Sequence, residues 1–202
     1  MKSPKFIFLL FFIYLFSDNH VVYSQTQNEN IVWKQKEGLE LIGTKAPPLD
    51  GLRWLNSAPL DIDGLAGNVI LIRFWLVDCP LCESTAPSLV NLYNRYKDEG
   101  FLVIGIHHPK SEETRDPDLV LNRARALGFE FPIAQDNDWR VLKSYWLNGK
   151  NRSYTSTSFL IDKKGVIRFI HDGGEFYEGE DNLEANNAFL AMENKIKELL
   201  ME

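Results

Sequence analysis

The chain has 202 residues, 45% hydrophobic and 25% charged, with a formal net charge of −6. An acidic chain without a basic cluster does not suit nucleic acid or an anionic lipid surface. It carries no GxGxxG and no glycine-rich phosphate loop between Thr44 and Pro48, so nothing supports nucleotide binding either.

The first residues read as a targeting segment. Lys2 and Lys5 make a basic start, and the apolar run 6–16 is far shorter than the ~20 residues a spanning helix needs. Val22 and Ser24 suit the positions before a cleavage site, which places cleavage after Ser24. The alternative is an uncleaved membrane anchor. No cysteine lies nearby to carry a lipid. The chain therefore divides into a signal peptide at 1–24, an N-terminal extension at 25–40 and one domain at 41–202. That domain is long enough to build a core without staples. The expected location is outside the cytoplasm, in a periplasm.

Leu52–Leu55 and Pro59–Ile62, with Asn56-Ser57 between them, read as a short N-terminal β-hairpin. Val69–Trp75 is almost continuously apolar, as a strand buried on both faces should be. From Cys82 to Tyr96 the apolar positions recur at helical spacing, and Glu99-Gly100 stops the pattern. Phe101–Ile106 is a second buried strand. Asp118–Leu127 is a helix closed by Gly128, Phe131–Ala134 a short strand, and Asp138–Trp146 another helix. Ser158–Ile161 and Val166–Ile170 flank the turn Asp162-Lys163-Lys164-Gly165 and form an antiparallel hairpin. Leu183–Leu200 is a closing amphipathic helix. Strands alternating with helices predict an α/β fold, with a mixed central sheet flanked by helices on both faces.

The only two cysteines are Cys79 and Cys82, separated by Pro80-Leu81. They stand between the first buried strand and the helix after it. A disulfide this short closes a tiny loop and would stabilise the fold little. The arrangement fits reversible dithiol–disulfide chemistry instead. Sites in parallel α/β sheets form at the carboxyl ends of strands, where Cys79 lies. With Pro80 at the first helical position, Cys79 becomes the N-cap, beside unsatisfied N–H groups and the positive end of the helix dipole. Its pKa is expected below the ~8.5 of a free thiol, with the carboxylate of Asp78 opposing that shift. Cys79 is the expected attacking thiol, and Cys82, one turn into the helix, the resolving one.

With these residues in view, the chain resembles the thioredoxin superfamily, and within it the exported TlpA-like and ResA-like thiol–disulfide oxidoreductases of AhpC/TSA type. Phe74-Trp75 precedes the cysteines at the family's offset, and Pro87 stands where thioredoxins carry a helix-kinking proline. Phe159-Leu160-Ile161-Asp162 followed by Gly165 is similar to the family's FLID-x-x-G hairpin, and Gly173-Gly174 falls at its sharp turn after the last strand. The similarity runs from about residue 41 to about residue 200, with a helix–strand insertion between Pro109 and Asp138. It implies a thioredoxin-like fold and a dithiol enzyme without a cofactor. Its implied partners are exported proteins with cysteines and a membrane electron donor that recharges the pair. The resemblance favours a reductant.

Three positions depart from the pattern. Ser156 stands where the family has a cis-proline facing the cysteines. A cis bond before a non-proline residue costs ~2.5–4 kcal/mol, so Thr155-Ser156 is expected to be trans. Arg73 stands where cytosolic thioredoxins carry a buried acid that moves the resolving thiol's proton. Asp78 replaces a bulky residue before the first cysteine.

His107, His108 and His171 fall at the same edge of the predicted sheet as the cysteines. They give the alternative function: a metal-binding or metal-delivery protein using Cys79, Cys82 and one or more of these histidines. The plainer expectation is polar residues capping strand ends. A thiol peroxidase is a weaker option, because Leu76 and Ser156 stand where its threonine and arginine would be.

Overall fold

Val69–Trp75, an almost continuously apolar run, forms strand β2 and is buried at every position. The computed structural model of the protein describes residues 33–202. The proposed signal peptide and the first part of the extension lie outside the described residues.

Six strands form one sheet in the order β1-β4-β3-β2-β5-β6. They are β1 (Arg53–Trp54), β2, β3 (Phe101–His107), β4 (Ile133–Gln135), β5 (Ser158–Ile161) and β6 (Ile167–His171). β2, β3 and β4 run parallel, and β5 is antiparallel to both β2 and β6. β6 therefore points the same way as β2, and the carboxyl ends of β2, β3, β4 and β6 share one edge.

Among the described residues four helices complete the α/β architecture: α1 (Pro80–Tyr96), α2 (Pro117–Ala126), α3 (Arg140–Leu142) and α4 (Leu183–Met201). α3 runs directly into a π-helical turn, Lys143–Leu147. α1, α2 and α4 pack on one face of the sheet, where Leu71, Trp75, Leu89, Val103, Val120 and Phe189 meet in one core. The other core lies beneath α3 and its π turn, where Ile72, Phe74, Leu142, Tyr145, Trp146 and Phe159 meet.

The expected N-terminal hairpin does not form. Arg53 and Trp54 pair with Gln135 and Ala134 of β4, and residues 59–62 hold no strand. Asn56 explains the difference. Its side-chain amide donates to the Phe131 carbonyl at 3.0 Å and its carbonyl accepts from the Ile133 N–H at 2.7 Å, imitating a strand partner. The helix expected over 138–146 is mostly a π turn, bounded by Trp139 and Asn148 at positive φ of 58° and 39°.

The extension is fastened at its end. Trp33 packs on Phe169 and His171, and the N–H groups of Lys36 and Glu37 donate to Asp172 at 2.6 and 2.9 Å. Among the described residues no helix is long and apolar enough to cross a membrane.

Candidate active site

β2 delivers the chain to the sheet edge, and α1 begins after four intervening residues. Cys79 is the N-cap of α1 in extended conformation (φ −119°, ψ 104°), with Pro80 at the first helical position. Proline is suited there because that N–H has no helical partner in any case. The Cys82 N–H donates to the Cys79 Sγ at 3.2 Å, so the sulfur takes the role an oxygen plays at an ordinary cap. Both cysteines are free thiols. Cys79 is partly exposed and Cys82 is buried behind it. An open depression beside Cys79 is lined by Val77, Pro80, Glu83, Leu119 and Arg123. Asp78 is exposed, so its carboxylate keeps its water.

The expected direction for Cys79 is corrected. Its thiol is pushed up, because it donates to the Cys82 sulfur and because it is partly desolvated. Cys82 carries the lowered value, about 6: the hydrogen bond from Cys79 favours its thiolate, burial opposes, and the charge of Arg73 adds to the lowering. The pair thus holds one proton between two sulfurs, with the charge on the inner one.

Arg73 is the residue whose role here the sequence reading missed. It stands where cytosolic thioredoxins carry an acid, yet side chains alternate along a strand, and Leu71 and Trp75 two positions either side face α1. Arg73 therefore points beneath the cysteines. It is 1% exposed. Its Nη1 donates to the Ser156 carbonyl at 3.0 Å and to Ser158 Oγ at 3.2 Å, and its Nη2 donates to the Gly174 carbonyl at 3.4 Å. The guanidinium lies 5.5 Å from the centroid of the Phe176 ring.

Two hydroxyls on α1 hold the segment that follows β6. Thr85 Oγ1 donates to the Leu81 carbonyl at 2.8 Å and accepts from the Phe176 N–H at 3.3 Å. Ser88 Oγ accepts from the Glu178 N–H at 3.0 Å. A second cavity beside Leu81 is lined by Trp33, Tyr154, Asp172 and Gly174. No peptide bond among the described residues is cis, so Thr155-Ser156 is trans as expected.

The three histidines are buried singly. His107 packs on Trp75 and His108 on Phe74 and Trp139, on opposite faces of the sheet. Burial holds them neutral, with pKa values lowered to about 4, 3 and 3 for His107, His108 and His171. They do not gather with the cysteines. Among the described residues no three His, Cys, Asp or Glu side chains are placed to hold a metal ion. The metal-site reading fails for this geometric reason.

Comparison with known proteins agrees with this layout. The mycobacterial protein DipZ (Mycobacterium bovis) is 40% identical over 149 residues, covering 72% of this chain but only 20% of DipZ. The chain thus spans about a fifth of that relative's length. The thiol-disulfide oxidoreductase YkuV of Bacillus subtilis is 27% identical over 135 residues, covering 67% of this chain and 82% of YkuV. A thioredoxin family thiol:disulfide interchange protein from Chlorobium tepidum superposes with a TM-score of 0.60 at 21% identity, covering 78% of this chain and 97% of that one. The fold is thioredoxin-like. The AhpC/TSA family model matches residues 42–170. Because that match spans most of the domain, the chain belongs to the AhpC/TSA family.

Proposed function

We propose that this protein is a thiol–disulfide oxidoreductase that works through Cys79 and Cys82 on exported proteins. The observation that carries the reading is the division of labour at the tip of α1: a partly exposed sulfur at the cap, with a buried one behind it whose N–H donates to the first. YkuV, named as such an enzyme, gives independent support.

In the reducing direction, the shared proton passes from Cys79 to Cys82 and the Cys79 thiolate attacks a substrate disulfide. A sulfur–sulfur bond forms between Cys79 and one substrate sulfur, and the other leaves as a thiolate. Cys82, giving up its proton, then attacks Cys79 Sγ and expels the second substrate thiolate. Two electrons have moved to the substrate, and the enzyme holds the Cys79–Cys82 disulfide. A membrane thiol donor returns the electrons. The reverse sequence oxidises a substrate dithiol.

Trapping tests this reading. Cys82→Ser protein, expressed with its leader, should accumulate mixed disulfides with exported proteins, visible on non-reducing gels and lost with dithiothreitol. Cys79→Ser should trap none. Equal trapping by both variants, or by neither, rejects the assignment. Export is tested by fractionation, where the protein should appear outside the cytoplasm.

A further inference from the structure

We propose that Arg73 is the counter-ion of the Cys79–Cys82 thiolate, and that it shifts the pair toward the dithiol, making it more oxidising than the same site with a neutral residue. The inference deepens the function proposed above and rests on it.

A guanidinium stays charged in a protein, and a buried charge needs an opposite one or full hydrogen bonding. Arg73 is 1% exposed, and its acceptors are two carbonyls and one hydroxyl, all neutral. No carboxylate among the described residues pairs with it. The titratable groups that feel its charge are Cys79 and Cys82 on α1, His171 on β6 and His108 after β3. Both histidines are buried and neutral. Phe176 offers only a ring face. Among the described residues Arg73 has neutral hydrogen-bond acceptors alone, and strand parity turns it toward α1, whose first turn carries the sulfur pair.

The consequence follows from the charge balance. Two electrons and one proton convert the Cys79–Cys82 disulfide into a thiol and a thiolate, and the new negative charge forms beside the guanidinium. Passing that electron pair back to a disulfide, or forming the enzyme disulfide by any route, removes the anion and leaves the cation alone. Arg73 thus favours the reduced state and pulls electrons from substrate dithiols.

The test equilibrates the full chain with glutathione buffers and counts free thiols by alkylation. Arg73→Met should raise the equilibrium constant for disulfide formation at least tenfold, about 30 mV toward the reducing side. Arg73→Lys should recover most of that change. A Met variant within twofold of wild type overturns the proposal, as does an equal shift in Met and Lys. Should the Met variant not fold, the wild-type chain still decides. Its reduced form should resist urea better than its oxidised form at pH 7, with the difference shrinking at pH 5; the opposite order overturns the counter-ion role. Mixed-disulfide trapping remains a separate readout, so loss of the oxidoreductase function and loss of the Arg73 role are distinguishable.

Discussion

The indole of Trp33 lies almost parallel to the imidazole of His171, 17° between planes and 5.5 Å between centroids. This contact seals the outer end of β6 with a residue from the extension. Trp33→Ala should open that seal. We expect a loss of about 2 kcal/mol, less than the 3–5 of a fully buried tryptophan. The His171 pKa, held at about 3 by burial and then by Arg73, should climb toward ~6.5. An NMR titration of the imidazole checks this; an unmoved His171 would show that Trp33 is not its cover.

His107, His108 and His171 together make the fold acid-sensitive. Their folded pKa values are depressed to about 4, 3 and 3, while the unfolded chain binds protons near pH 6.5. Their contribution is present above ~6.5 and lost as pH falls toward 3 to 4. Urea midpoints should therefore drop steadily from pH 7 to pH 5. A flat profile over that interval contradicts the assignment of three neutral buried rings.

The thiols add a second, redox-dependent pH effect. Cys82 is depressed to about 6 against the ~8.5 of a free thiol, so its stabilisation of the reduced protein is present above ~8.5 and lost as pH falls through about 6. Cys79 is raised, so its contribution is present below ~8.5 and lost as pH rises beyond it. The reduced protein should gain on the oxidised one between about pH 6 and ~8.5, then fall back. The ultraviolet absorbance of the thiolate should rise with a midpoint near 6. A midpoint at the free-thiol value would remove the charge from the pair.

Glu193 ties α4 to α1. Only 5% exposed, it accepts from Tyr96 Oη at 2.9 Å and Lys197 Nζ at 3.0 Å and pairs with Arg95. Burial pushes its pKa up, but these donors outweigh burial and hold the carboxyl below its ordinary value. Glu193→Ala should cost about 1–2 kcal/mol, chiefly by leaving the buried Tyr96 hydroxyl without its acceptor, since Arg95 and Lys197 are exposed to water. Thermal melts report it; a change under about 0.5 kcal/mol would mean the donors find water instead.

Gly173 sits at φ 128°, and a Cβ there would lie 2.2 Å from the Tyr154 Cβ. Gly173→Ala must therefore move the loop beside the cysteines or Tyr154 itself. A loss of 2 kcal/mol or more is expected, with slower disulfide exchange. Undiminished exchange together with wild-type stability would mean the loop relocates freely.

How much could be read beforehand depends on how local each cause is. Val69–Trp75, Phe101–His107 and the 158–171 hairpin announce themselves through composition, and Cys79, Pro80 and Cys82 carry their cap geometry in their order. Asn56 looks like a turn residue, but its side chain serves Phe131 and Ile133, seventy-five and seventy-seven residues on, so no hairpin forms. The Cys79 shift runs against the pull of the helix tip because its thiol donates to the Cys82 sulfur and is partly desolvated, and neither contact is written in the order of the residues. Strand parity alone placed Arg73 under α1, and that signal was available. The π turn after α3 rests on Trp139 and Asn148 at positive φ, which no periodicity encodes.

Thr85 and Ser88 give the tip of α1 a mechanical companion. Because their hydroxyls receive the amides of Phe176 and Glu178, the turn beyond β6 is coupled to the cysteine-bearing helix rather than to the strand it leaves. Strain introduced at the sulfurs would travel along that linkage, and deuterium uptake at those two amides would register the redox state from a distance.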